Sequence, residues 1–74
     1  MLIDVRTKNE YDDRHHDGAI NIPLDASMAS SINFPFEEEI ILYCRSGARA
    51  EVAQHILKGK GYKNVSLLNN TGAY

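Results

Sequence analysis

The feature that most constrains this chain is an apolar run that leads directly into a short polar loop. The run covers residues 40–43, and the loop at residues 44–49 holds the only cysteine of the sequence. A short continuous apolar run is typical of a central parallel strand that is covered on both faces. Apolar positions then recur at helical spacing across residues 50–58, so this part of the chain predicts a strand, a tight loop and a helix.

The loop residues point to chemistry at sulfur or to anion binding. A cysteine between a strand and a helix lies close to inward-pointing N–H groups at the positive end of the helix dipole, and there it is readily a thiolate. Ser46 and Gly47 relax the turn, while Arg45 and Arg49 offer fork-shaped donors to an anion. The alternatives from these residues alone are a small buried apolar Cys44 and solvated arginines.

Composition predicts one small soluble domain over residues 1–74, either minimal or a truncated version of a longer one. The chain is 43% hydrophobic and 24% charged, which is ordinary for a globular protein. No apolar run approaches the ~18 residues of a membrane helix, so no membrane partner is expected. The predicted location is periplasmic if a leader was removed and cytoplasmic otherwise.

The cysteine and charge counts exclude further classes of protein. One cysteine excludes an intrachain disulfide and leaves too few thiolates for a cysteine-rich zinc or iron–sulfur site, and no cofactor or metal is expected. The chain has a net charge of −2, and its basic residues are scattered among residues with no aromatic interleaving. Nucleic acid is therefore not an expected partner.

The remaining segments predict an α/β fold with a mostly parallel central sheet flanked by helices. Residues 2–5, 19–22 and 64–68 are expected strands, and residues 69–74 an expected polar loop or tail. Thr7 and Glu10 fit a capping box that starts a short helix ending near Arg14.

Other expectations concern the segment between the second and third strands and the edge of the sheet. Asp25 is expected to cap a second short helix with an apolar stripe, and the phenylalanines of residues 34–36 to tuck against the body. Because ligands bind where parallel strands end, Arg6 and the pair at residues 69–70 are candidate neighbours of Cys44.

Five motifs in order resemble the rhodanese family of thiosulfate sulfurtransferases over nearly the whole chain. Residues 4–6 look like the family's D-V-R, residues 10–11 like its E-[YF], and residues 18–24 like its G-A-x-N-I-P-L. Residues 41–50 resemble V-x-Y-C-x-x-G-x-R-[SA], and residues 61–65 resemble G-[YF]-x-[ND]-V. By size and by its opening I-D-V-R the chain is similar to the short class of the bacterial phage shock protein E type.

The resemblance implies a reaction and a set of site residues. The catalytic residue would be Cys44, which would take the outer sulfur of thiosulfate as a persulfide and pass it to cyanide or another thiophilic acceptor. The loop that holds this anion would consist of Arg45, Ser46, Gly47, Ala48 and Arg49, with the two arginines orienting the donor. Asp4 and Arg6 would support the loop and strands, His15 would be structural, and the protein would be a monomer.

Three alternatives are left open by these residues. The chain could be a sulfur carrier that hands its persulfide to a protein partner, or a noncatalytic binding module of the same fold. Related phosphatases use a C-x5-R loop, whereas Arg49 stands at C-x4-R from Cys44. The shorter loop favours a single sulfur atom over a phosphate.

Overall fold

A parallel sheet organises the residues that the computed structural model describes, which are 1–25, 28 and 32–74. Its central strands are β1 (Leu2–Asp4) and β3 (Glu39–Tyr43), with β2 (Ile20–Asn21) beside β1 and β4 (Asn64–Leu67) beside β3. All three pairings are parallel. The predicted α/β architecture with a parallel sheet is confirmed, although three of these strands are shorter than the sequence predicted and β3 begins one residue earlier, at Glu39.

The core lies between the sheet and its flanking segments. Ile40 and Leu42 of β3 point to one face of the sheet and Tyr43 to the other, and all three are fully buried, as expected for a strand covered on both faces. Burying such side chains contributes about 1.5–3 kcal/mol each. Other buried apolar residues of the same cluster are Ile3, Val5, Met28, Ile32, Ala50, Ala53, Leu57, Tyr62 and Val65.

The first helix, α1 (Lys8–Asp13), begins with the predicted capping box. The Thr7 side chain accepts a hydrogen bond from the Glu10 amide, and the Glu10 carboxylate accepts one from the Thr7 amide. The Tyr11 hydroxyl donates to the Ala19 carbonyl at 2.6 Å, which ties the helix to the segment that leads into β2.

The helix after the polar loop, α2 (Ala48–Lys60), is longer at both ends than the predicted span of residues 50–58. Its first turn begins directly after Gly47, whose carbonyl accepts from the Glu51 amide at 2.9 Å. Of the two glycines predicted as stops, Gly61 ends the helix with a left-handed φ of 119°, and Gly59 lies inside it.

The expectations about the connecting segments are confirmed in part. Phe34 is half-buried against the core as expected, whereas Phe36 is 48% exposed and makes an edge-to-face contact with Tyr62. The expected polar loop or tail at residues 69–74 is a loop, with a short 3₁₀ turn (Leu68–Asn70) followed by a segment that packs on the loop at residues 44–49. Most of the helix expected after Asp25 falls outside the described residues.

Candidate active site

The cysteine of the polar loop lies immediately after β3, at the carboxyl edge of the sheet. Cys44 is fully buried, and its Sγ accepts a hydrogen bond from the Gly47 amide at 3.0 Å. Gly47 has a left-handed φ of 99°, which a side chain would oppose. The turn therefore aims a backbone N–H at the sulfur at the point where α2 begins, and both the N–H and the helix dipole favour negative charge there.

Arg49, on the first turn of α2, is held by a carboxylate from α1. Its guanidinium donates to both oxygens of Glu10, at 2.6 and 3.1 Å. The hydrogen bond to Glu10 is the main cause that raises the pKa of Arg49. Arg49 is thus held in an ion pair at the start of α2, and its role in orienting a donor stays a prediction.

The carboxylate of Glu10 is fixed from two sides. Besides Arg49, its Oε1 accepts from the Thr7 amide and hydroxyl, each at 3.1 Å. The hydrogen bond from Arg49 and then the one from the Thr7 backbone lower the pKa of Glu10 from 4.5 to about 2. The capping box of α1 therefore orients the group that holds the loop arginine.

We expect the stability of the fold to depend on pH through Glu10. Because the pKa of Glu10 is lower in the folded protein, its contribution is fully present above about pH 4.5 and is lost as the pH falls through about 2. Glu10→Gln removes this titration. Urea unfolding from neutral to acidic pH should show a stability gap between the native chain and Glu10→Gln that closes toward about pH 2.

The matched control for this titration is Glu37→Gln, which removes an exposed carboxylate from the connection before β3. This variant should follow the native chain at every pH. A gap between the native chain and Glu10→Gln that is equally large in neutral and strongly acidic solution would contradict the assigned role of Glu10.

Asp4 and Arg6 form a buried ion pair at the end of β1. The carboxylate of Asp4 is fully buried and accepts from the Arg6 amide at 2.8 Å, from Nε at 3.0 Å and from Nη2 at 2.7 Å. Arg6 also donates to the Arg14 carbonyl, after α1. The pair thus connects β1 to the end of α1. Its role in supporting the loop and the strands stays a prediction.

Aromatic side chains surround this ion pair. Tyr43, the last residue of β3, is fully buried and its ring lies 5.6 Å from the Arg6 guanidinium. Burial raises the pKa of Tyr43 to about 12, so its phenol stays neutral. The phenol oxygen accepts from the His16 amide at 3.1 Å.

His15, which the sequence predicted to be structural, stacks on Tyr11 of α1 with ring centroids 3.8 Å apart.

A cleft of about 370 Å³ opens beside the loop. It is lined by Arg6, Glu10, Asp13, Arg14, Arg45 and Tyr74. Arg45 is the one predicted loop residue among the lining residues; Ser46 and Ala48 are exposed, and Cys44 does not line the cleft. Arg45 and Arg14 bring positive charge to this cleft, and Glu10 and Asp13 bring negative charge.

The residues that cover the loop were not predicted from the sequence. The Cys44 amide donates to the Gly72 carbonyl at 2.8 Å, and Ala73 pairs with both Cys44 and Ser46. The expected neighbours at residues 69–70 instead form the turn that leads into this segment. The turn-forming residues Asn69, Asn70 and Gly72 were the available signal, since they allow the chain to reverse toward the loop.

Two negative findings apply to the described residues. They contain no group of three or more His, Cys, Asp or Glu side chains placed to hold a metal ion. None of the helices in this part of the chain is long and apolar enough to cross a membrane.

Comparison with known proteins identifies the fold. A model of the rhodanese-like domain family matches residues 1–71. A human single-domain sulfurtransferase has a similar structure, with a TM-score of 0.78 and 28% identity, over 99% of this chain and 75% of that one. A rhodanese from E. coli, solved with anions, has a TM-score of 0.75 and 30% identity, over 99% of this chain and 92% of that one.

The chain therefore belongs to the rhodanese-like domain family. Among curated relatives, the thiosulfate:glutathione sulfurtransferase of Saccharomyces cerevisiae is 34% identical over 80 residues, which cover 90% of this chain. The matched region is 58% of that yeast protein. In a mitochondrial relative from Schizosaccharomyces pombe, 32% identical, the matched region is 60%.

Proposed function

We propose that this chain transfers sulfane sulfur from thiosulfate to a thiophilic acceptor through a persulfide on Cys44. The observation that carries the proposal is the hydrogen bond from the Gly47 amide to the Cys44 Sγ, at the start of α2 in a C-x4-R loop. This arrangement stabilises negative charge on sulfur and offers no wider cradle for a phosphate. The similarity to sulfurtransferases supports the same chemistry.

The proposed reaction has two balanced steps. The Cys44 thiolate attacks the outer sulfur of thiosulfate, a new S–S bond forms, the S–S bond of thiosulfate breaks, and sulfite leaves with the electron pair. An acceptor such as cyanide then attacks the outer sulfur of the persulfide, forms thiocyanate and restores the thiolate. Arg45 at the cleft is proposed to attract the donor dianion, while the Gly47 amide and the dipole of α2 stabilise the persulfide.

The test is the intact mass of the reduced protein after incubation with thiosulfate. We expect a gain of one sulfur atom that a reducing thiol reverses. Because the chain has one cysteine, we expect the added sulfur on Cys44. Peptide mapping checks that position. Steady-state production of thiocyanate from thiosulfate and cyanide should follow, and a native protein that gains no sulfur would refute the proposal.

A sulfur carrier is the second candidate, and the complete burial of Cys44 favours it. A shielded persulfide is protected from adventitious acceptors and can be passed to a docked protein. A carrier would gain sulfur in the mass experiment but produce thiocyanate only slowly. A noncatalytic module, the third alternative, would gain no sulfur.

A further inference from the structure

The sulfur of Cys44 is closed off from solvent in this structure. Cys44 is 0% exposed, and the adjacent cleft is lined by other residues. An attack on thiosulfate requires the sulfur to contact the donor. Some part of the structure must therefore move before the proposed reaction can begin.

The segment at residues 71–74, here called the strap, is bound along the loop by backbone contacts. The Cys44 amide donates to the Gly72 carbonyl at 2.8 Å, and the Tyr74 amide donates to the Arg45 carbonyl at 3.3 Å. Between these bonds Ala73 bridges to Cys44 and to Ser46. The strap thus behaves as a short extra strand laid across the loop.

Two glycines allow this close approach. A Cβ on Gly47 would lie 2.2 Å from the Thr71 carbonyl oxygen, and a Cβ on Gly72 would lie 2.9 Å from the Ala50 Cβ. The strap and the loop are therefore in direct backbone contact, with no side chain between them. Movement of the strap would uncover the buried residues of the loop, Cys44 and Gly47.

The outer end of the strap is held by the ring of Tyr74. This ring lies 4.6 Å from the Arg6 guanidinium, and its centroid is 4.5 Å from that of His16 and 5.8 Å from that of Tyr43. Tyr74 is nevertheless 40% exposed. A cation–π contact at the surface is a modest interaction, so the ring can act as a latch that releases.

The inner end of the strap has the backbone of a hinge. Asn69, Asn70 and Gly72 have φ values of 52°, 66° and 73°, left-handed values that asparagine and glycine adopt more readily than other residues. Under the latch, His16 Nε2 is buried and has no hydrogen-bond partner within the described part of the chain. Opening would hydrate this nitrogen, which reduces the cost of opening.

We propose that residues 71–74 form a gate over Cys44, latched by the stacking of Tyr74 on Arg6 and His16, that opens locally to admit sulfur donors. The closed state shields the sulfur, and the open state exposes it without unfolding of the sheet. The purpose of the gate rests on the proposed sulfur transfer, but its existence does not. Alkylation of the thiol measures the gate, and persulfide formation measures the function.

The test is the rate at which iodoacetamide alkylates Cys44 in the full chain. Tyr74→Ala should increase the rate by about two- to fivefold, because loss of the cation–π contact raises the open population. Tyr74→Phe retains the ring and should react as slowly as the native chain. Val52→Ala removes a half-exposed apolar side chain from α2 and is the matched control, also at the native rate.

Two outcomes would overturn the gate. The first is an alkylation rate of Tyr74→Ala equal to that of the native chain. The second is an increase in alkylation rate no larger than the increase in the globally unfolded population of this variant, which urea titration measures. The native chain provides a second test that does not depend on the folding of Tyr74→Ala. Local opening predicts an alkylation rate that rises only weakly in low urea, whereas a rate with the full urea dependence of global unfolding contradicts the gate.

Discussion

Cys44→Ser is expected to gain no sulfur from thiosulfate and to produce no thiocyanate above the rate without protein. The hydroxyl that replaces the thiol is a weak nucleophile without a general base, and no base contacts the Cys44 Sγ among the described hydrogen bonds. Intact mass and thiocyanate production are the measurements. Sulfur uptake or thiocyanate production by Cys44→Ser would exclude the Cys44 Sγ as the atom that carries the sulfur.

Folding separates this loss of chemistry from a loss of structure. Burying the serine hydroxyl should lower the free energy of unfolding by about 1–3 kcal/mol, because the Gly47 amide can donate to it but its own proton needs an acceptor. Cys44→Ala is the matched control, since it removes the nucleophile without adding a hydroxyl. We expect Cys44→Ala to be equally inactive, with a loss of stability of similar size, because it leaves the buried Gly47 amide without its acceptor.

Arg6→Ala is expected to cause the largest loss of stability of any single substitution considered. It leaves the fully buried Asp4 carboxylate without its bidentate partner, at a cost of about 3–5 kcal/mol. At the usual 0.05–0.15 kcal/mol per residue, a chain of this length has roughly 4–11 kcal/mol in total. Urea unfolding should therefore show a large shift of the midpoint or no folded baseline.

Two comparisons make the Arg6 result specific. Lys8→Ala breaks an exposed ion pair with Asp12 on α1 and should leave the midpoint unchanged. The double variant Asp4→Ala with Arg6→Ala should be less destabilised than the sum of the two single variants, because it leaves no lone buried charge. An Arg6→Ala midpoint that coincides with that of Lys8→Ala would show that the pair contributes little.

The sequence predicted the parts of the site that depend on local pattern. The strand before Cys44 follows from a continuous apolar run, and the start of α1 follows from the spacing of Thr7 and Glu10. The position of Gly47 also indicated the tight turn. In each case the deciding interactions lie within a few residues along the chain, where periodicity and capping rules apply.

The parts that escaped prediction depend on contacts between distant residues. Glu10 satisfies its own capping box, yet it also holds Arg49, which is 39 residues away. The turn-forming residues 69–72 indicated a reversal of the chain but not the pairing of its backbone with Cys44, because backbone pairing carries no side-chain signature. A buried Cys44 was one of the alternatives that the loop residues left open, and they alone could not decide it, because its burial depends on contacts with distant residues.

The bond between Glu10 and Arg49 limits how the loop could be reused in protein engineering. A graft of the six residues at 44–49 onto another strand–helix junction would carry the cysteine and the turn but leave Arg49 without its counterion. The same graft would lose the Gly72 carbonyl that receives the Cys44 amide. A transplantable unit would therefore have to include the capping box of α1 and the segment after β4, which together make up a large share of so small a domain.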